Sequence, residues 1–353
     1  MGEPISLRLG QAKDFIRGQA GGSIAPMSIS EEEINPHIQD DLSYQARPLE
    51  PKDRCYPVNF RFPEDALCTE FSFFEDGRQR TVNIGHIKTV INQRIVIIPV
   101  HFFAIGAVIL HRDSRRELKL WRQPELRMGI IVERSLVPNQ SLVEQFEQAG
   151  LEVIDTNTTG GDYSELRMRA LRKAKDIRLE SEMRLITQWR QSNEAANHFL
   201  IVDGTLMNFR NEDNVERCIG VSKSFGSRYF DSSDHNRILQ MNEFERSWTF
   251  RFHDEDEDVR LGARERVSWY LRLRKRANAD PEFGLIRVEI SQRHMERASE
   301  YADRFSKSLL SERLPTAYPT PRWDKHLYPI QACEDYLSSI LPSTSTIVAT
   351  MKG

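Results

Sequence analysis

Four cysteines, Cys55, Cys68, Cys218 and Cys333, are scattered over 353 residues and form no CxxC pair. This excludes a zinc ribbon, and isolated thiols suit a reducing, cytoplasmic compartment. An excess of one charge is also missing, since 49 basic residues nearly cancel 52 acidic ones and leave a formal net charge of −3. Any contact with nucleic acid therefore needs a local basic face, because the molecule as a whole supplies no attractive field. No repeat period is present, and the opening "MGEPISLRLGQAKDF" lacks an apolar core, so no signal peptide is expected. The nearly apolar run Ile95–Leu110 falls short of the about 20 residues of a bilayer span and carries Pro99 and His101. Its β-branched and aromatic content predicts buried strands, and no membrane association is expected.

What remains is an ordinary globular composition, 39% hydrophobic and 9% aromatic, long enough for one large core or two modest ones. Residues 1–53 are polar and carry "GQAGGS" and several prolines, and they are expected to form a partly mobile N-terminal arm. Residues 54–353 read as one α/β unit with a mixed sheet and added helices. Within it, Phe71 and Phe73 alternate with polar residues, and Glu75-Asp76-Gly77 is expected to turn the chain before Val82 and Ile84 resume the alternation. "SLVEQFEQAG" predicts a short amphipathic helix. A long helix without proline or glycine follows from about Ser164 to Gln191, capped by Asp162 or Ser164. It leads into the strand "HFLIVDG", and further strands are expected at "RCIGVSKSF", "SWTFRFH", "ERVSWYLRLRKR" and "GLIRVEIS". Helices close the chain.

"FLIVDGTL" resembles the haloacid dehalogenase motif, but the nucleophile's place two residues before Asp203 is held by Ile201, which cannot attack phosphorus. The chemistry of Asp203 must lie elsewhere. Both Asp76 and Asp203 precede glycine after an apolar stretch, and two such strands side by side would bring their carboxylates together. Each Asp-Gly alone also fits a plain turn. On the long helix, at about 100° per residue, Leu171, Ala174, Leu185 and Trp189 share an arc that includes Glu182, whereas Glu180 points to the polar side. A carboxylate on the core-facing stripe needs a partner, so Glu182 either meets a base such as arginine or holds a metal. Acidic side chains converging on one spot would bind Mg²⁺ or Mn²⁺ through hard oxygens, and such ions support phosphodiester cleavage.

Lys223 in "GVSKSF" would come near Asp203 if their strands pair, where it could offset phosphate charge; the plainer reading is a surface lysine. Arg272, Arg274 and Arg276 alternate along a strand and offer a phosphate-tracking stripe or a charged edge. "HDEDEDVR" reads as an exposed acidic loop rather than a metal site.

The ordered set of an early Asp-Gly, "RLESE", "FLIVDGTL", "GVSKSF", "IRVEI" and "YPIQACEDYL" resembles the NurA nuclease family over about residues 71–341. The resemblance implies an RNase H-like fold, a homodimer and DNA as substrate. It also implies a HerA-like hexameric ATPase as partner, Mn²⁺ (or Mg²⁺) as cofactor, and a role in DNA repair or antiviral defence. Asp76, Glu182 and Asp203 would be the metal-binding and catalytic acids, with Lys223 beside them. This chain departs from the family pattern at Arg78, where a serine is usual, and at Cys333, where a histidine is usual. Cysteine does not replace imidazole as a proton carrier or as a ligand for a hard ion, although His326 lies nearby in sequence. A second reading follows: a catalytically impaired, nuclease-like scaffold that docks on a HerA-like ring.

Overall fold

The computed structural model describes residues 5–28, 46–66, 68–157, 161–209, 215–224, 229–253, 265–315 and 322–352. Ile5–Gly18 is helix α1, followed by strands β1 (Gly22–Ser28), β2 (Arg47–Pro48), β3 (Tyr56–Pro57), β4 (Phe73–Ile91), β5 (Arg94–Arg112), β6 (Leu118–Leu120) and β7 (Glu125–Val132). Next come α2 (Gln140–Gln148), β8 (Glu152–Asp155), the long α3 (Tyr163–Arg190), β9 (Leu200–Asp203), β10 (Cys218–Ser222) and α4 (Ser232–Leu239). The remainder is β11 (Glu245–Arg246), β12 (Phe250–His253), β13 (Glu265–Arg272), β14 (Leu285–Ser291), α5 (Ala298–Glu312), α6 (Tyr328–Ile340) and α7 (Thr344–Lys352).

The strands form one mixed sheet whose spine runs β2-β12-β13-β14-β10-β9-β4-β5-β7-β8. At its centre β4, β5 and β7 make an antiparallel meander, and β9 and β10 add on parallel to β4. Helices cover both faces, which lets β5 bury a nearly continuous apolar run from Ile98 to Leu110. On one face α1, α5, α6 and α7 close the largest core, with Phe15, Phe305, Cys333, Leu337 and Ile347 against Phe74, Phe102 and Ile201. On the other lies α3, whose N-cap Asp162 accepts from the Glu165 backbone N–H at 2.8 Å. Its Leu185, Ile186 and Trp189 pack on Phe73, Ala107 and Leu200, and its Ala170, Ala174 and Ile177 pack on Phe103 and Ile105.

Three expectations are corrected. Residues 5–28 are not an arm: Leu9, Ala12, Phe15 and Ile16 form an apolar stripe on α1 that is buried in the main core, and β1 pairs with β4. Glu75-Asp76-Gly77 is not a turn. These residues lie inside β4, where all three pair with residues 107–109 of β5 and Glu75 also pairs with Val202 of β9, so the chain does not reverse there. The chain reverses instead at Asn92 and Gln93, with φ of 49° and 62°, the conformation that suits a two-residue hairpin. Arg272 does not belong to an exposed phosphate-tracking stripe either. Strand β13 ends at Arg272, which is buried and donates to the carbonyls of Leu239 (2.8 Å) and Pro281 (3.0 Å). Residues 254–260, most of the acidic run, lie outside the described residues. Among the described residues no helix is long and apolar enough to cross a membrane.

Candidate metal centre

Parallel pairing of β4 and β9 sets Glu75 opposite Val202, so Asp76 and Asp203 fall side by side one residue further on. Side chains alternate across a strand. Asp76 therefore shares a face with Phe74, and Asp203 with Ile201, the face covered by α6. Strand β10 runs parallel to β9 with Val221 opposite Asp203, and Lys223 two residues on lies on that face. Its Nζ is 2.9 Å from Asp203 Oδ2 and 3.4 Å from Glu334 Oε1. Carboxylate oxygens of Asp76, Asp203 and Glu334 all lie within 4.8 Å of one another.

Charge is unbalanced here. Asp76 is only 4% exposed. Burial first, and then repulsion from Asp203 and Glu334, lifts its pKa well above the ordinary carboxylate range. Burial would weaken Lys223 as a base, but Asp203, Glu334 and Asp76 outweigh that and keep it protonated. His326, with Nδ1 3.9 Å from Glu334 Oε1, is pushed down to about 4 by burial and then by Lys223, so it is neutral at pH 7. A divalent cation would supply the missing charge, and three carboxylates are the hard oxygen donors that Mg²⁺ or Mn²⁺ accepts.

Glu182 is not within ligand distance of this whole group, although Asp203 is near enough to help raise its pKa. It approaches the sheet from the α3 face and pairs with Arg178 one turn earlier on the same helix. Burial first raises its pKa and Arg178 opposes the rise, which leaves it at about 7. Arg178 is a base of the kind expected beside this core-facing acid. The close approach depends on Gly77, where a Cβ would sit 2.0 Å from Glu182 Oε1. The glycine after Asp76 thus makes space for α3, whereas the glycine after Asp203 does turn the chain, with φ +114°. Beside Glu182, fully buried Glu75 finds no hydrogen-bond donor among the described residues. Burial first, then Glu182 and Asp76, raise its pKa well above the ordinary value.

Of the acids expected to meet, Asp76 and Asp203 do so, with Lys223 beside them. The third carboxylate within ligand distance is Glu334, not Glu182. Cys333 faces the core, where its Sγ donates to the Phe74 carbonyl at 3.5 Å and burial pushes the thiol pKa well up. Glu334 had a faint signature in sequence. Ile330, Cys333 and Leu337 form the apolar stripe of α6, and Glu334 borders it, but so do other polar residues of the same helix. No protein-family model and no curated protein sequence matches the chain.

Proposed function

We propose that this protein is a metal-dependent DNA nuclease, similar to the NurA family, with an RNase H-like core. The antiparallel meander of three strands extended by two parallel ones, with acids at the junction of β4 and β9, supports that reading of the sheet. The observation that carries the proposal is the convergence of Asp76, Asp203 and Glu334 within 4.8 Å beside a buried lysine. These three carboxylates would hold Mn²⁺ or Mg²⁺, which when bound activates water and steadies the leaving oxygen of a phosphodiester. Lys223, oriented by Asp203 and Glu334, would sit against the scissile phosphate and offset the charge that grows on it. Glu182, held by Arg178, would fix Gly77 and hence the backbone on which Asp76 rides.

The chain would work as a homodimer on DNA ends delivered by a HerA-like hexameric ATPase, in repair or in defence against foreign DNA. The near-zero overall charge supports a nuclease that receives its substrate rather than searching for it. Labelled linear DNA with Mn²⁺, alone and with a HerA-like ATPase, should be degraded by the native protein and not by Asp203→Ala. If the native protein degrades DNA in neither condition, the scaffold reading replaces this one.

A further inference from the structure

A cavity of about 760 Å³ opens between α5, the start of α6 and the segment after β13, and it shares no residue with the acidic cluster. Its size lies within the range of small-molecule sites. Phe60, Phe71, Phe283, Trp323 and Tyr328 supply aromatic walls. Two ion pairs stiffen the rim: Arg112 binds Glu312 through both nitrogens at 2.5 and 2.6 Å, and Arg313 meets Glu243 at 3.1 Å.

Three further cations line the same space, Arg116, Arg274 and Lys275, and none of them forms a salt bridge to a carboxylate among the described residues. Arg274 lies over the Trp323 ring with Cζ 4.8 Å from its centroid, and its Nε donates to the Asp324 carbonyl at 3.2 Å. Carbonyl oxygens satisfy its hydrogen bonds but do not cancel its charge. Burial first, and then the neighbouring Arg313, lowers its pKa, and Asp324 and Glu243 offset this only in part.

We propose that this cavity binds a nucleotide, with the base stacked on the aromatic wall and the phosphate held by Arg116, Arg274 and Lys275. Each half of that ligand matches one half of the lining. Aromatic faces accept any base by stacking, and guanidinium and ammonium groups attract phosphate oxygens, Arg274 by its charge and its remaining Nη1 donor. An uncharged aromatic compound would leave the three cations unanswered, and inorganic phosphate would leave the aromatic walls wet. The nucleotide could be free, or the unpaired end of a DNA strand.

The test is calorimetric titration of the full chain, in EDTA so that the acidic centre takes no part, with ATP, AMP, adenosine, and a short 5′-phosphorylated oligonucleotide. ATP or the oligonucleotide should bind, adenosine should bind at least roughly tenfold more weakly, and added salt should weaken the charged ligands. Stronger binding by ATP and AMP than by the oligonucleotide identifies a free nucleotide, and the reverse order identifies a strand end. The exposed pair Arg116→Glu with Lys275→Glu should fold normally and lose roughly tenfold or more in affinity. Asp76→Asn should bind as the native chain does, which separates this site from the nuclease proposal. The idea is overturned if none of ATP, AMP and the oligonucleotide binds, or if the double charge reversal leaves affinity unchanged.

Discussion

Replacing Asp76 by asparagine should stabilise the ion-free protein and remove its response to a divalent cation. The substitution keeps the size of the side chain and an oxygen that can accept the Gly77 backbone N–H, now bonded at 2.8 Å. It deletes a charge whose ligand oxygen lies within 4.8 Å of oxygens on Asp203 and Glu334. At that separation two unit charges repel by about 3.5 kcal/mol at an effective dielectric constant of about 20. Lys223 offsets part of this, and protonation of Asp76 relieves more, so the expected gain is about 1–2 kcal/mol at about pH 8. The pH dependence has a definite sign. Because the folded-state pKa of Asp76 is raised, its contribution is full below the ordinary aspartate value and is lost as pH rises through the folded value. The variant should lack that decline. Thermal unfolding across this pH range in EDTA measures the effect, and Mn²⁺ is then added to both proteins. A site of this kind should stabilise the native chain by about 2.7 kcal/mol at an ion concentration of about 100 times its dissociation constant. The reasoning is refuted if the variant is less stable than the native chain in EDTA at the alkaline end, or if Mn²⁺ raises both melting temperatures equally.

Gly77→Ala forces a methyl group to 2.0 Å from Glu182 Oε1, so Glu182 must leave Arg178. Denaturant titration should show a loss of about 1–3 kcal/mol, and DNA cleavage should fall with it. Trp189→Ala empties the packing between α3 and Phe73, 5.6 Å away by ring centroids, and should cost about 3–5 kcal/mol in the same assay. Glu50 behaves oppositely to Asp76. Burial would raise its pKa, but hydrogen bonds from Arg246 and Ser299 hold it at about 2 instead of 4.5. Its stabilisation is present above about pH 4.5 and lost as pH falls toward about 2, so Glu50→Gln should be less stable at neutral pH and show a shallower acid decline in circular dichroism melts.

The long uninterrupted helix and the β-branched run at 95–110 were sufficient to foresee α3 and β5, because each element's period or composition is a local property, whereas the alternation around Phe73 foretold strand but not that β4 runs on unbroken to Ile91. The same patterns misled where pairing decides. An Asp-Gly is a turn signal in an isolated segment, yet at 76–77 pairing with Val108 and Ala107 of β5 keeps the strand going, and the glycine serves α3 instead. The apolar stripe of α1 was hidden among glycines and prolines whose local meaning is loop. Arg272 was read as exposed because its three carbonyl partners come from segments remote or bent back along the chain.

The sequence by itself determined that Asp76 and Asp203 follow apolar stretches, that Glu182 lies within the core-facing arc of a long helix, and that Lys223 lies near a strand end. Only the folded chain decided which of them share a face of the sheet. Strand register puts Asp76, Asp203 and Lys223 on one side, α3 brings Glu182 to the other, and α6 delivers Glu334 from 131 residues beyond Asp203. Distance along the chain carries no information about that closure, because it arises from the packing of Cys333 and Leu337 against the core rather than from any property of Glu334 itself.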